Sequence, residues 1–265
     1  MTQAERRGYL IRELLAENPQ YQHSAIPAGP QGQKDLFRAL MNVRPPKPIG
    51  DDFLKIQDEY LSAERDALGV TDANALPPIS ADNRLVLWQG DITTLAVDAI
   101  VNAANSALRG CFHVLHACID NVIHSKSGIQ LRLKCDEIMN AQGHDEPTGQ
   151  AKITPAYNLP CRYVLHTIGP VVRGKVSREE QEQLASCYRS CLELAAENGL
   201  KSVAFCCIST GEFHFPNQEA AAIAVEMVRD FLQKDNRIKR VVFNVFKDID
   251  LQIYRGLLGK DSCCT

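Results

Sequence analysis

The chain has 265 residues, enough for one large domain with an appendage or for two small domains. Its formal net charge is −3, with acidic and basic residues interspersed, so neither a nucleic acid nor a membrane surface is indicated as a partner. The charged start of the chain lacks the apolar core of a signal peptide, no apolar run approaches the roughly 18 residues of a membrane span, and the ten cysteines show no secreted disulfide framework. We therefore expect a soluble cytoplasmic protein with reduced thiols.

The first part of the chain, residues 1–70, has the pattern of helices. Thr2 and Glu5 are spaced as a capping box in front of apolar residues at helical spacing. A second helix is predicted to end before a Pro-Pro pair, and a third follows Asp51. The Gly-, Pro- and Asn-bearing stretch over residues 71–83 then predicts a linker.

Residues 84–260 differ from this first part, because apolar, β-branched runs alternate with helical segments. The runs are RLVLW, DAIVN, YVLHTIG, SVAFCCIS and RVVFNVF. One helix is predicted to start at Ser177, whose capping-box partner is Glu180, and another after Pro216, with Asn217 as its N-cap. Strands that alternate with helices predict an α/β sandwich with a largely parallel or mixed sheet.

Residues 110–124, GCFHVLHACIDNVIH, bring Cys111, His116 and Cys118 close together in sequence. In one continuous helix each residue advances about 100°, so His116 would lie about 140° from Cys111 and the three could not converge on one ion. Metal binding therefore requires residues 110–117 to be irregular and a helix to begin near Cys118. Three donors without a fourth nearby match the ligand count of a catalytic zinc site, although C-x4-H-x-C is not a common structural zinc spacing. Spacing alone leaves a second interpretation open, namely buried cysteines that act as small hydrophobic residues.

Three loops at the predicted carboxyl ends of strands carry polar or small residues, and ligands of open α/β sheets bind at such loops. Asp91 could accept a hydrogen bond from an exocyclic amine, or could belong to an ordinary turn. Asn102 and Asn105 could hold sugar hydroxyls or could satisfy loop backbone. The Ser-Thr-Gly sequence at residues 209–211 follows an apolar strand and offers backbone N–H groups to a phosphate, with a plain surface loop as the alternative.

In combination and order, the motifs GDIT, DAIVNAAN, GQAKITPAYNLP, YVLHTIGP and ISTG closely resemble those of the macrodomain family, over roughly residues 83–258. The resemblance implies a three-layer α/β/α sandwich with a mixed sheet that binds ADP-ribose. Macrodomains usually carry a Gly-rich loop after the NAAN motif. Its replacement here by GCFHVLHAC resembles the zinc-containing macrodomains, ADP-ribosylhydrolases with an added N-terminal helical segment, which residues 1–70 fit. A proline is expected where Val114 stands, so this loop departs from the pattern in its stiffness.

The resemblance also implies a role for each motif residue. Asn105 and Asp120 are the catalytic candidates, because Asp120 falls at the position of the catalytic carboxylate and Asn105 is expected to contact the distal ribose. His124 and His166 are expected to be satisfied structural histidines. The remaining implied roles are zinc binding by Cys111, His116 and Cys118, and ligand binding by Asp91, the backbone of Ile92, Asn105, Ser209, Thr210, Gly211, Glu212, Phe213 and, for adenine stacking, Phe246.

The function that the resemblance implies is zinc-dependent removal of mono-ADP-ribose from protein side chains, with an ester to Asp or Glu as the favoured bond. Its implied partners are ADP-ribose, a mono-ADP-ribosylated protein and a sirtuin-like ADP-ribosyltransferase that writes the mark. Two other functions stay open: a non-catalytic ADP-ribose reader, which needs neither the metal triad nor Asp120, and a deacetylase of free O-acetyl-ADP-ribose. The point of attack, anomeric carbon or ester carbonyl, and the role of the helical segment, whether lid, partner surface or packing, also stay open.

Overall fold

The structure is a computed structural model that describes residues 1–259. The α-helices of this range are α1 Gln3–Ala16, α2 Pro30–Val43, α3 Asp51–Leu68, α4 Ile119–Ser127, α5 Ile129–Gln142, α6 Arg178–Glu197, α7 Asn217–Lys234 and α8 Asp248–Leu258. The strands are β1 Thr71–Asp72, β2 Leu85–Gln89, β3 Leu95–Ala96, β4 Ala99–Ala103, β5 Ala151–Pro155, β6 Tyr163–Thr167, β7 Ser202–Phe205 and β8 Arg240–Val245. Short 3-10 turns cover Ala73–Ala75 and Ile92–Thr94.

Helix starts follow the capping signals of the sequence in two of three predicted cases. Thr2 with Glu5 before α1, and Ser177 with Glu180 before α6, form reciprocal capping boxes as predicted. The prediction of Asn217 as the N-cap of α7 is wrong. Asn217 is the first helical residue, preceded by Pro216 without a side-chain cap, and its amide nitrogen instead donates to Asp250 Oδ1 at 2.6 Å.

A six-stranded mixed sheet in the order β2-β8-β7-β4-β6-β5 forms the centre of the molecule. All neighbouring strands are parallel except β5, which runs antiparallel to β6. On its flanks α6, α7 and α8 pack in series, while α4 pairs with α5 and contacts β4. This confirms the predicted α/β/α sandwich. Because β2, β8, β7, β4 and β6 are parallel, the loops that follow them open at the same edge of the sheet.

The three N-terminal helices form a cluster whose apolar core is separate from that of the sandwich and also includes Ile129 of α5. Helix α1 packs against α2 and α3, and both α2 and α3 contact α4 of the sandwich. Residues 71–83, predicted as a linker, contain β1, which pairs with β3. The division into a helical segment 1–70, a linker 71–83 and a macrodomain 84–260 stays a prediction, and residue 260 lies outside the described residues.

The cysteines that the structure describes are free thiols, most of them buried. Cys263 and Cys264 lie outside the described residues. Among residues 1–259, no helix combines the length and the apolar composition needed to cross a membrane.

We expect the core of the helical cluster to contribute strongly to stability. Phe37 is 2% exposed and meets Tyr60 edge-on, with ring centroids 5.4 Å apart. Phe37→Ala should therefore lower the free energy of unfolding by about 3–5 kcal/mol, through lost burial and the cavity left behind. Ile26→Ala, at an exposed position before α2, is the control and should change it by less than about 0.5 kcal/mol. Urea denaturation checks both, and equal effects would contradict the prediction.

Candidate active site

The three predicted metal ligands lie on an irregular loop over residues 110–117, here called the metal loop, and at the start of α4. Helix α4 begins directly after Cys118, which is its N-cap, as the convergence of the three donors requires. The donor atoms of Cys111, His116 and Cys118 all lie within 4.8 Å of one another, and Cys111 Sγ is 3.5 Å from His116 Nδ1. Two thiols and one imidazole in a convergent cluster fit the donor chemistry of zinc.

Gly110 allows this loop to turn over α4. Its φ of 82° lies in the left-handed region that favours glycine. A Cβ at this position would also approach the ring of His124 to 2.8 Å. Any other residue would therefore be strained and crowded, so the glycine fixes where the metal loop begins.

Burial keeps the Cys118 thiol protonated in the absence of a metal. Desolvation raises the pKa of Cys118 to about 12, and the neighbouring Cys111 and Asp120 add to the effect. A divalent ion binds the thiolate, so metal binding at this site must release protons.

Asp120 is a buried carboxylate held by two asparagine amides. Asn102 Nδ2 donates to Asp120 Oδ1 at 2.8 Å, and Asn105 Nδ2 donates to Asp120 Oδ2 at 3.2 Å. Burial raises the pKa of Asp120 to about 6, against the hydrogen bond from Asn102 and the charge of Arg132, which lower it. A carboxyl group with such a pKa can both accept and release a proton near neutral pH.

Asn102 and the two histidines lie beneath Asp120. Asn102 is fully buried and also contacts His166 Nδ1 at 3.1 Å, so it does not face a ligand as one interpretation of the sequence suggested. His166 is satisfied as predicted, because its Nε2 also bonds Thr154 Oγ1 at 2.9 Å. His124 is not satisfied: within residues 1–259 neither ring nitrogen has a hydrogen-bond partner, and Nε2 lies 3.6 Å from Asp120 Oδ1. Burial lowers the pKa of both histidines, that of His166 to about 3.

The loop after β7 has unpaired polar groups. Ser209 has a φ of 64°, and its hydroxyl is buried without a hydrogen-bond partner among residues 1–259. Gly169 makes room for it, because a Cβ there would collide with Ser209 Oγ. Four backbone N–H groups of the same loop also donate no hydrogen bond within the described chain, namely those of Ser209, Gly211, Glu212 and Phe213. Unpaired N–H groups at a strand-to-helix turn suit a phosphate group.

The predicted adenine contacts follow β2 and β8. These strands are neighbours at one side of the sheet, and their carboxyl ends lie at the same edge as that of β7. Asp91 accepts from Lys126 Nζ at 2.7 Å and from the Thr93 backbone at 2.9 Å. Burial acts to raise the pKa of Asp91, but hydrogen bonds from Lys126 and Thr93 outweigh it and lower the pKa, so Asp91 is an ionised acceptor. Ile92 is buried, and its N–H has no partner among residues 1–259. Phe246 follows β8 and is 75% exposed.

Two contacts join the metal loop, residues 110–117, to the rest of the site. His116 Nε2 lies 3.5 Å from Glu212 Oε1, which connects the metal loop to the loop after β7. Asn105 Nδ2 donates to Gly110 O at 3.2 Å as well as to Asp120, which connects the metal loop to the carboxylate. Sequence reasoning missed Lys126, because no motif marks it. It also missed Arg38 and Asn42 of α2, which contact the metal loop.

Comparison with known proteins finds close relatives of this chain. Residues 101–224 match the family described as Macro domain. A protein of Treponema medium named protein-ADP-ribose hydrolase is 54% identical over 98% of this chain and 100% of its own length. A Staphylococcus aureus protein of the same name is 49% identical over 97% of this chain and 96% of its own length. The crystal structure of the Trypanosoma brucei macrodomain in complex with ADP-ribose is similar with a TM-score of 0.65 and 30% identity, covering 83% of this chain and 95% of that chain.

Proposed function

This chain belongs to the macro domain family, and we propose that it is a hydrolase that removes ADP-ribose from modified proteins. The observation that carries the proposal is the position of Asp120 directly after the Cys-His-Cys cluster, with Asn105 bonded to both the metal loop and the carboxylate. The names of the relatives that match nearly the whole chain support the same activity. A reader of ADP-ribose would need neither the metal cluster nor the buried carboxylate.

The binding half of the proposal uses the loops after β2, β7 and β8. The adenine amine would be accepted by Asp91 and the ring contacted by the Ile92 N–H, with Phe246 as a stacking surface. The diphosphate and distal ribose would be wrapped by the residues at 209–213. Their unpaired N–H groups and the free hydroxyl of Ser209 support this assignment, because they need acceptors that the chain does not supply.

The chemical half of the proposal is zinc-dependent, with Cys111, His116 and Cys118 as the ligands. Zinc held by three protein ligands keeps one position open and supplies a Lewis acid that polarises oxygen atoms and acidifies water. Asp120 orients the attacking water or takes its proton. Each of its oxygens accepts one asparagine amide, Oδ1 from the fully buried Asn102 and Oδ2 from the half-buried Asn105, so we propose that Oδ2 faces the reactants.

The proposed substrate is a protein with mono-ADP-ribose in ester linkage to Asp or Glu. Addition of one water across this bond releases ADP-ribose and the free carboxylic acid, whichever carbon is attacked. The ester preference and a sirtuin-like ADP-ribosyltransferase that writes the mark rest on the family resemblance. We further propose residues 84–260 as the catalytic unit, with the helical segment 1–70 and the linker 71–83 in support.

We expect one equivalent of tightly bound zinc for each chain. Cys111→Ala and Cys118→Ala should each lose it, because two remaining donors hold zinc poorly. Cys207→Ala is the matched control, since Cys207 is also half-buried but lies outside the cluster, and it should keep its zinc. Elemental analysis after a chelator wash checks the three variants. Full zinc content in both cluster variants would refute the assignment.

The free hydroxyl of Ser209 gives a test in which ADP-ribose binding weakens without a loss of stability. Ser209→Ala should leave the free energy of unfolding unchanged or higher, because a buried hydroxyl without a partner carries an uncompensated desolvation cost. The same change should weaken ADP-ribose binding by about tenfold or more, the loss expected for a hydrogen bond to a charged phosphate. Denaturation and calorimetry measure the two quantities.

Ser190→Ala is the control for this test, because Ser190 Oγ donates to Gly149 O at 2.7 Å. It should lower the free energy of unfolding by about 1 kcal/mol and leave ADP-ribose affinity unchanged. Unchanged affinity in Ser209→Ala would remove the Ser209 hydroxyl from the binding site.

His116→Ala should separate turnover from binding. We expect this substitution to slow release of ADP-ribose from an acid-linked substrate by at least about a hundredfold, because the proposed zinc acts where the bond breaks. ADP-ribose affinity should stay within several-fold of the parent, because most of the ligand contacts other loops. His113→Ala is the control: His113 is an exposed histidine of the same loop, with its ring 5.8 Å from that of His116.

The measurement is a single-turnover assay beside a binding titration of each variant. If the unmutated, zinc-loaded protein binds ADP-ribose but releases none from any acid-linked substrate, the hydrolase proposal fails and the reader function replaces it. Asp120→Ala should also slow turnover, by less than His116→Ala if activation of water depends mainly on the metal.

A further inference from the structure

The metal loop has almost no backbone hydrogen bonds of its own. Within residues 110–117 the one backbone–backbone bond found in the described chain joins His116 N–H to His113 C=O at 3.3 Å. A loop packed between α2 and α4 must satisfy its other backbone groups with side chains or water. The residues that supply those side chains therefore determine the conformation in which the metal ligands are held.

Asn121 of α4 satisfies two of the loop carbonyls. Its side chain is fully buried, and Nδ2 donates to Cys111 O at 3.3 Å and to His113 O at 2.8 Å. Asn105 adds the bond to Gly110 O described above. These contacts hold the first half of the loop against the sandwich.

Helix α2 of the N-terminal segment holds the second half. Arg38 Nη2 donates to His116 O at 2.6 Å and to Asn121 Oδ1 at 2.8 Å. Asn42, one turn further along the same face, accepts from Leu115 N at 3.0 Å. Leu115 has a φ of 54°, a left-handed conformation that is unfavourable for a residue with a Cβ. The bond to Asn42 therefore compensates strain at the residue that precedes the metal-binding histidine.

Helix α2 is itself fixed by its own apolar core and by Arg132 of α5, whose guanidinium also lies 4.2 Å from the centre of the Phe112 ring in the metal loop. Phe37, Leu40 and Met41 are buried in the core of the helical cluster. At its end, the guanidinium of the buried Arg132 from α5 donates to three carbonyls within 3 Å, which belong to Met41, Asn42 and Arg44. The donor Arg38 and the acceptor Asn42 are thus held in place by packing and by hydrogen bonds of the helix backbone.

We propose that α2 is a template for the metal loop, and that Arg38 and Asn42 are positioning residues that set its metal affinity. Without them the loop would have to lose conformational freedom when the metal binds, and the affinity would fall by the free energy of that ordering. This gives the N-terminal helical segment a direct part in the site. The inference rests on the proposed function only in that the Cys-His-Cys cluster binds zinc.

Arg38→Met tests the proposal, because methionine keeps an unbranched apolar stem and a similar helix propensity but offers no donor. Zinc affinity should fall by about tenfold or more, the range found when groups that orient metal ligands are removed. Competition with a chromogenic zinc chelator measures this affinity on the full chain. The unfolding temperature of the metal-free variant should stay close to that of the metal-free parent, since the loop is a small part of the cooperative core.

Two further variants separate positioning from general stability. Lys34→Ala removes the other basic residue one turn earlier on α2, whose partner is Glu64 on α3, and should leave zinc affinity unchanged. Arg38→Lys keeps a positive donor, but its ammonium ends a shorter side chain than Nη2, the one nitrogen that makes both contacts. Its zinc affinity should therefore lie between those of the parent and Arg38→Met. If Arg38→Met fails to fold, the comparison of Arg38→Lys with the parent carries the test.

The possible results are distinct. Weaker zinc binding in the Arg38 variants, with the metal-free stability preserved and ADP-ribose affinity unchanged, supports the template. Unchanged zinc affinity in the folded Arg38 variants overturns it while the hydrolase proposal stands. An equal loss of stability with and without zinc also overturns it, because a merely structural contact would act on both forms alike. A parent protein that binds no zinc removes the metal part of the proposed function, and the template with it.

Discussion

The site depends on the cost of burying one carboxylate. A buried carboxylate needs hydrogen-bond donors, and Asp120 receives them from Asn102 and Asn105, which end and follow the same strand, β4. The register of β4 with β6 pairs Asn102 with His166, so the second hydrogen of the Asn102 amide reaches His166 Nδ1. That nitrogen must then accept, which leaves the proton of His166 on Nε2 to be donated to Thr154 Oγ1. The sheet register thereby fixes the tautomer of His166 and the orientation of Asp120 together.

The need of buried polar groups for hydrogen-bond partners also explains why the metal loop needs external support. Its ligands converge only because the backbone departs from a helix, and an irregular backbone gives up the hydrogen bonds that a helix would supply. Asn121 and Asn105 replace some of them from within the sandwich, and Arg38 and Asn42 replace others from α2. In the proposed site, the N-terminal helices would thus be coupled to the chemistry without supplying a metal ligand.

Local features of the sequence predicted the α/β sandwich and the irregular loop before α4, and contacts between distant residues account for much of what they did not predict. Helical periodicity showed that metal binding would require an irregular segment and a helix near Cys118, and both are present. Asn217 failed as a predicted N-cap because α7 begins at Asn217 itself, directly after Pro216, and its side chain instead contacts the distant Asp250. The contact of Arg38 with His116 joins residues 78 positions apart, and nothing in either local sequence indicates it. Likewise, the bond of Asn102 to the Asp120 carboxylate joins residues 18 positions apart, and the local sequence does not indicate it.

The two ring nitrogens of His116 show how the halves of the site fit together. Nδ1 faces Cys111 Sγ at 3.5 Å, and Nε2 faces the carboxylate of Glu212 at 3.5 Å. A neutral imidazole whose proton is on Nε2, toward a carboxylate, has its lone pair on Nδ1, toward the thiols. The tautomer that Glu212 favours is therefore the one that a metal ligand needs. Since Glu212 belongs to the loop with unpaired N–H groups after β7, the position of that loop bears on the orientation of His116, the proposed zinc ligand, as well as on the proposed diphosphate contacts.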